Sequence, residues 1–204
     1  MSVVVNLLRN DYALIATDSR IMLCDTTERK YADEFEKLYA SKIGWVSGTG
    51  VGELIRGFSD SFINGAIDTF EQQYKKLFLK YKDEELCKTL ISFSYIDNSG
   101  KICLEYIGKR HGCKKIAGIA AFQPADIAAG EWNELYNACY DKINESSGFD
   151  ADIYNIAEFI DSVSRCCSTV SSICDFGILF NNGEMKRIRH SFDEIKKSFN
   201  NNKL

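Results

Sequence analysis

Ser2, Asp18, Lys37 and Gly48 are residue types from which acyl-transfer chemistry can be assembled. A hydroxyl is a weak nucleophile until a base sits beside it. An α-amino group titrates at about 7.7–8.0 in peptides, and a nearby ammonium pushes it lower, towards useful base strength at neutral pH. A glycine at a turn lets the backbone approach a substrate closely, and a backbone N–H there can meet developing negative charge. Taken singly, each residue also has a plainer reading. Ser2 is a common second residue, Asp18 with Arg20 reads as a turn with an ion pair, and Lys37 as a solvated strand residue. Gly48 and Gly50 read as the end of a strand before a helix.

Other chemistries have less support. The eight cysteines include no Cys-x-x-Cys pair, and two histidines, His111 and His190, are too few for a His-rich site. The cysteines read as small buried hydrophobes, and neither a metal nor a cofactor is expected. Net charge is -4 with no basic stripe, and Lys75-Lys76 and Lys196-Lys197 are short pairs, so nucleic acid is not an expected partner. No apolar run approaches the roughly 18 residues of a membrane span. No basic segment precedes Ser2-Val3-Val4-Val5, and Asn6 with Arg9-Asn10-Asp11 breaks the apolar run, so a signal peptide is not expected. The expected location is the cytoplasm, where the cysteines stay reduced.

The elements that must carry these residues follow from hydrophobic period and turn signals. Residues 3–8 and 12–18 read as strands around the turn Arg9-Asn10-Asp11. Two short strands are expected at 36–40 and 43–47, the second ending at Gly48-Thr49-Gly50. Leu54, Ile55, Phe58, Phe62, Ile63, Ala66, Ile67 and Phe70 recur at helical spacing, and a second helix is expected over 74–88, with a break between the two. Strands at 89–96 and 101–107 flank the turn Asp97-Asn98-Ser99-Gly100, and a third is expected at 115–119. Helices follow at 124–142, with Pro124 near the first turn, and at 151–166. Strands at 174–180 and 184–189 flank Asn181-Asn182-Gly183, and Ser191 with Glu194 signals the cap of a last helix over 191–199.

Helices therefore come in pairs between groups of strands, whereas a parallel βαβ fold alternates them singly. The expected class is α+β: a four-layer αββα sandwich of two antiparallel sheets flanked by helix pairs. With 204 residues and no linker or repeat, residues 1–204 read as a single domain.

In this order the chain resembles the proteasome β-subunit family of N-terminal-nucleophile (Ntn) hydrolases. Tyr12-Ala13-Leu14-Ile15-Ala16-Thr17-Asp18-Ser19-Arg20 looks like that family's second strand. Glu36-Lys37-Leu38-Tyr39 resembles its lysine-bearing strand, and residues 43–50 its glycine turn. Asp175-Phe176-Gly177-Ile178-Leu179-Phe180-Asn181-Asn182-Gly183 resembles its late strand and turn. The resemblance implies that Ser2 Oγ attacks a carbonyl while the Ser2 α-amine takes the proton. Lys37 then assists electrostatically, Asp18 holds Lys37 and the amine, and the Gly48 N–H is an oxyanion donor. Release of Met1 before a small residue would free that amine.

Three differences from the family pattern are visible. Serine replaces the usual threonine. Ile116-Ala117-Gly118-Ile119-Ala120-Ala121 takes the place of a Gly-Ser-Gly turn with no serine. Residues 165–172 offer hydroxyls but no acid ahead of the late strand. The function implied is hydrolysis of peptide or other amide bonds. The alternatives are an inactive proteasome-like subunit with an assembly or binding role, and a small-molecule amidase with an open pocket. A homo-oligomer, such as a ring, is the expected assembly, and nothing in the sequence bears on an ATPase partner.

Overall fold

Alternation along the strands decides the layering, because successive side chains point to opposite faces. The computed structural model describes residues 2–23, 30–33, 35–61, 72, 74–76, 80–146 and 148–201. The first sheet has five strands in the order β10 (Ile119–Phe122), β1 (Val4–Leu8), β2 (Tyr12–Asp18), β11 (Ile173–Phe180), β12 (Met185–Ser191). The second also has five, in the order β5 (Tyr39–Ala40), β6 (Trp45–Thr49), β7 (Leu90–Ile96), β8 (Ile102–Gly108), β9 (Gly112–Lys115). All neighbours within both sheets are antiparallel. A ribbon of β3 (Ile21–Leu23) and β4 (Lys30–Ala32) stands apart.

Three apolar clusters separate four layers. Val5, Leu7, Leu14, Ala16, Phe176 and Ile178 face α3 (Ala129–Glu145), α4 (Phe149–Cys166) and α5 (Phe192–Asn200), meeting Trp132, Ile156, Ile160 and Ile195. The intervening residues Val4, Ala13, Ile15 and Leu179 face the second sheet and meet Trp45, Ile102 and Leu104. The outer face of that sheet, with Val46, Ile91, Phe93 and Ile107, is covered by Leu54 and Phe58 of α1 (Gly52–Ser61) and Leu86 of α2 (Asp83–Cys87). This is the expected α+β sandwich of helices, sheet, sheet and helices, with the C-terminal helix joining the first pair.

Val3, Val4 and Val5 are each 0% exposed. At about 2 kcal/mol per buried aliphatic side chain, this pins a chain start that would otherwise fray. Asp152, fully buried on α4, accepts a fork from Arg9 and the Tyr12 hydroxyl at 2.6 Å. The turn of the β1–β2 hairpin is thereby tied to the helix layer. The sheets also meet closely at Gly177, where a Cβ would lie 2.6 Å from Trp45 Cδ2. The Trp45 indole N–H donates to the Ile178 carbonyl at 2.9 Å.

Several boundaries differ from the expected ones. Only Tyr39 and Ala40 of 36–40 form ladder pairs; the Lys37 carbonyl instead accepts from Ser47 Oγ at 2.9 Å. The helix expected at 74–88 is interrupted, because Lys82 caps a new helix and its N–H donates to Glu85 at 2.9 Å. The break expected between Phe70 and Tyr74 falls largely outside the described residues. The strand expected at 115–119 is a crossover: β9 ends at Lys115 in one sheet and β10 starts at Ile119 in the other, with Gly118 at φ +78° between them. Helix α3 begins at Ala129, beyond Pro124.

Candidate active site

The β1–β2 register pairs Val4 with Thr17, which brings the start of the chain to the end of β2. There the Val3 N–H donates to Asp18 Oδ1 at 3.2 Å, and the Thr17 hydroxyl donates to the Val3 carbonyl at 3.1 Å. Asp18 Oδ2 accepts from the Arg20 N–H at 2.9 Å, from Lys37 Nζ at 2.9 Å and from the Ser171 N–H at 3.3 Å. Asp18 is 0% exposed and the Lys37 side chain 8%. Taking both charges out of water is costly, and the three backbone donors offset part of that cost on the carboxylate.

Burial sets the protonation tendencies of this pair. It pushes the Asp18 carboxyl up from its ordinary value, opposed by Lys37 and by the Arg20 and Ser171 N–H groups. It pushes the Lys37 ammonium down, opposed by Asp18. Both groups are thus moved towards their neutral forms.

Ser2, Lys37 and Gly48 line one cavity of about 510 Å³. Ile21, Phe35, Tyr39, Val51 and Ile55 supply its apolar wall, and Arg20, Glu53 and Arg56 its charged groups. Phe35 is 43% exposed, one of the few large apolar side chains so open to solvent among the described residues. Gly48 lies opposite Ile91, and a Cβ there would stand 2.4 Å from the Leu90 carbonyl oxygen, so only glycine fits. Gly50, at φ +112°, turns the chain into α1. The four sequence-predicted residues are therefore brought together: Lys37 bonds Asp18, and Ser2 and Gly48 share the cavity with Lys37.

Ser19, Arg20 and Ser171 also belong to this cluster, and the sequence did not single them out as site residues. Ser19 Oγ and Ser171 Oγ are 2.9 Å apart, and the Ser19 N–H donates to Ser171 Oγ at 3.1 Å. Arg20 forks onto Asp33 at 2.6 and 2.9 Å and donates to the Ser168 carbonyl at 2.8 Å. Several hydroxyls stand at 168–172; the β2–β11 register, with Cys174 opposite Asp18, selects Ser171. Gly118, by contrast, lies at the far end of β1, where the Leu8 N–H donates to its carbonyl at 2.8 Å. Val4 pairs with Phe122, so the segment facing Ser2 is the one continuing into Gln123 and Pro124.

Similar solved structures include Anbu from Hyphomicrobium sp. strain MC1, with a TM-score of 0.69, 10% identity, and 99% of this chain and 94% of that chain covered. Its Gly-1 mutant gives 0.71 at 9% identity, with 99% and 94% covered.

The fold is the Anbu fold.

Anbu from Yersinia bercovieri, described as an ancestral β-subunit, gives a TM-score of 0.70 at 12% identity, with 98% of this chain and 94% of that chain covered. The Anbu match agrees with the proteasome-like Ntn resemblance at the level of fold. No protein-family model matches the chain, and no curated protein matches it. Among the described residues, no helix is long and apolar enough to cross a membrane, and no three His, Cys, Asp or Glu side chains gather as metal ligands would.

Proposed function

We propose that this chain is a proteasome-like Ntn hydrolase of a single domain that cleaves peptide or other amide bonds, with Ser2 as nucleophile. Once Met1 is released, the Ser2 α-amine takes the Oγ proton as Oγ bonds to the substrate carbonyl carbon. The Gly48 N–H stabilises the oxyanion. The same proton passes to the leaving nitrogen as the C–N bond breaks. Water then hydrolyses the seryl ester and restores the hydroxyl. Lys37 favours the neutral, basic form of the amine, and Asp18 holds the start of the chain and Lys37 together. The apolar wall favours substrates with a large apolar side chain on the acyl side of the bond. The subunit works within a homo-oligomer, a ring being one closed form.

One observation supports this reading above the others. A single buried carboxylate, Asp18, accepts from the Val3 N–H through one oxygen and from Lys37 Nζ through the other. The test is labelling of the natively processed protein by a β-lactone or an epoxyketone. The label should appear on Ser2 and be absent from Ser2→Ala. Equal labelling of both proteins, or retention of Met1 in the native protein, would refute the mechanism.

A second reading is a subunit without activity, kept for assembly or binding. It is favoured by the segment facing Ser2, where Phe122, Gln123 and Pro124 bring no hydroxyl. Absence of labelling on native protein whose Met1 has been removed would select it.

A further inference from the structure

Arg187 lies on β12, the edge strand of the first sheet, far in sequence from the cavity. Its guanidinium forks onto Asp175, with Nε donating to Oδ1 at 2.8 Å and Nη2 to Oδ2 at 2.5 Å. Asp175 is 1% exposed. The remaining arm, Nη1, donates to Glu36 Oε1 at 2.5 Å. Glu36 precedes Lys37 in a stretch, 35–38, that has no strand ladder of its own. On the other side of Lys37, Leu38 is fully buried and packs over Gly177, the residue paired with Arg187 across β11 and β12. Both neighbours of Lys37 are thus held by the same pair of strands.

We propose that Arg187 is a positioning residue for Lys37, holding it against Asp18 through Glu36. The inference rests on the reading of Lys37 as part of a hydrolase site. A partly exposed ion pair usually contributes little, because two long side chains must be ordered to form it. Here the fork on buried Asp175 has already fixed the guanidinium, so only Glu36 loses freedom. The fixed carboxylate sets the path of the 35–38 backbone and hence the reach of Nζ. Neutralising Asp175, the merely structural role open to Arg187, needs the fork but not the arm to Glu36.

Glu36→Gln separates the two roles, since it weakens the outer arm and leaves the fork intact. Three quantities are measured: the thermal midpoint, the rate of Ser2 acylation by a β-lactone, and the titration of the Lys37 side chain by carbon NMR. The charged groups facing Lys37 in that titration are Asp18, Arg20 and Asp33, joined by the Ser2 α-amine once Met1 is released. Positioning predicts acylation slowed about tenfold in Glu36→Gln, a displaced Lys37 titration and an unchanged thermal midpoint, with most of the rate recovered in Glu36→Asp. Wild-type rate and titration in Glu36→Gln, with a lowered midpoint confined to Arg187→Met, would show that Arg187 only balances Asp175 and would overturn the proposal. If the wild type is not acylated at all, the hydrolase reading falls. The Lys37 titration still decides, a displacement in Glu36→Gln supporting the anchor and its absence refuting it.

Discussion

Lys37 Nζ and Asp18 Oδ2 lie 2.9 Å apart in a pair almost wholly withdrawn from water. Removing one partner strands the other. Lys37→Ala should lower stability by about 3–5 kcal/mol and slow acylation by a factor on the order of 10²–10³. The double variant Asp18→Asn/Lys37→Met, which leaves no unpaired charge, should recover much of the stability and none of the rate. Urea denaturation and β-lactone labelling of the same preparations measure both. Recovery of the rate in the double variant would exclude a role for the lysine.

The pair also fixes a pH signature. Asp18 is raised above its ordinary 3.8, so the folded state binds more protons than the unfolded one just above that value. Its contribution to stability is full below 3.8 and is lost as pH rises through the raised value. Lys37 is lowered from 10.5, so its contribution is full above 10.5 and is lost as pH falls through the lowered value. The stability of the wild type relative to Asp18→Asn/Lys37→Met should therefore fall on leaving acid pH and recover towards alkaline pH. Urea midpoints across pH measure the difference, and a flat difference would contradict the assignment.

Substrate preference should follow the wall formed by Ile21, Phe35, Tyr39 and Ile55. Fluorogenic peptides with leucine or phenylalanine on the acyl side should react faster than those with glutamate. Phe35→Ala should raise KM for the bulky substrates several-fold and leave kcat nearly unchanged, because it removes binding area away from the reacting atoms. A kcat effect confined to small amides would point to the amidase alternative.

Gly177→Ala should cost about 1–3 kcal/mol, since its Cβ would meet Trp45 Cδ2 at 2.6 Å and Leu38 Cδ1 at 3.0 Å. Because Leu38 adjoins Lys37, acylation should slow as well. The Gly177→Ala/Leu38→Ala double variant relieves one of these contacts, and its thermal midpoint should lie above the value expected if the two effects simply added.

Local patterns were sufficient for the layers. The turn Arg9-Asn10-Asp11 between two β-rich runs and the helical spacing of Ile153, Ile156, Phe159, Ile160 and Val163 within 151–166 each report on nearby residues, and both were legible. The expected strand at 115–119 failed because a run of apolar and basic residues looks continuous, while Gly118 turns the chain from one sheet to the other. Asp18 and Lys37 could be named because they stand within a short, motif-bearing stretch. Ser171 could not, because its neighbours are chemically alike and only the strand register chooses among them. Arg187 was further out of reach. It stands 151 residues from Glu36, and nothing about an arginine on an edge strand announces such a partner.

The buried valines and the grip of Asp18 on the Val3 amide carry a practical corollary. Ser2 is 8% exposed and lines the cavity, so a chain joined ahead of it would start from the cavity wall. A purification handle fused at that end would act as a tethered occupant, competing with anything offered from solution. A handle joined beyond α5, which packs on the helix side of the first sheet, starts from a different layer.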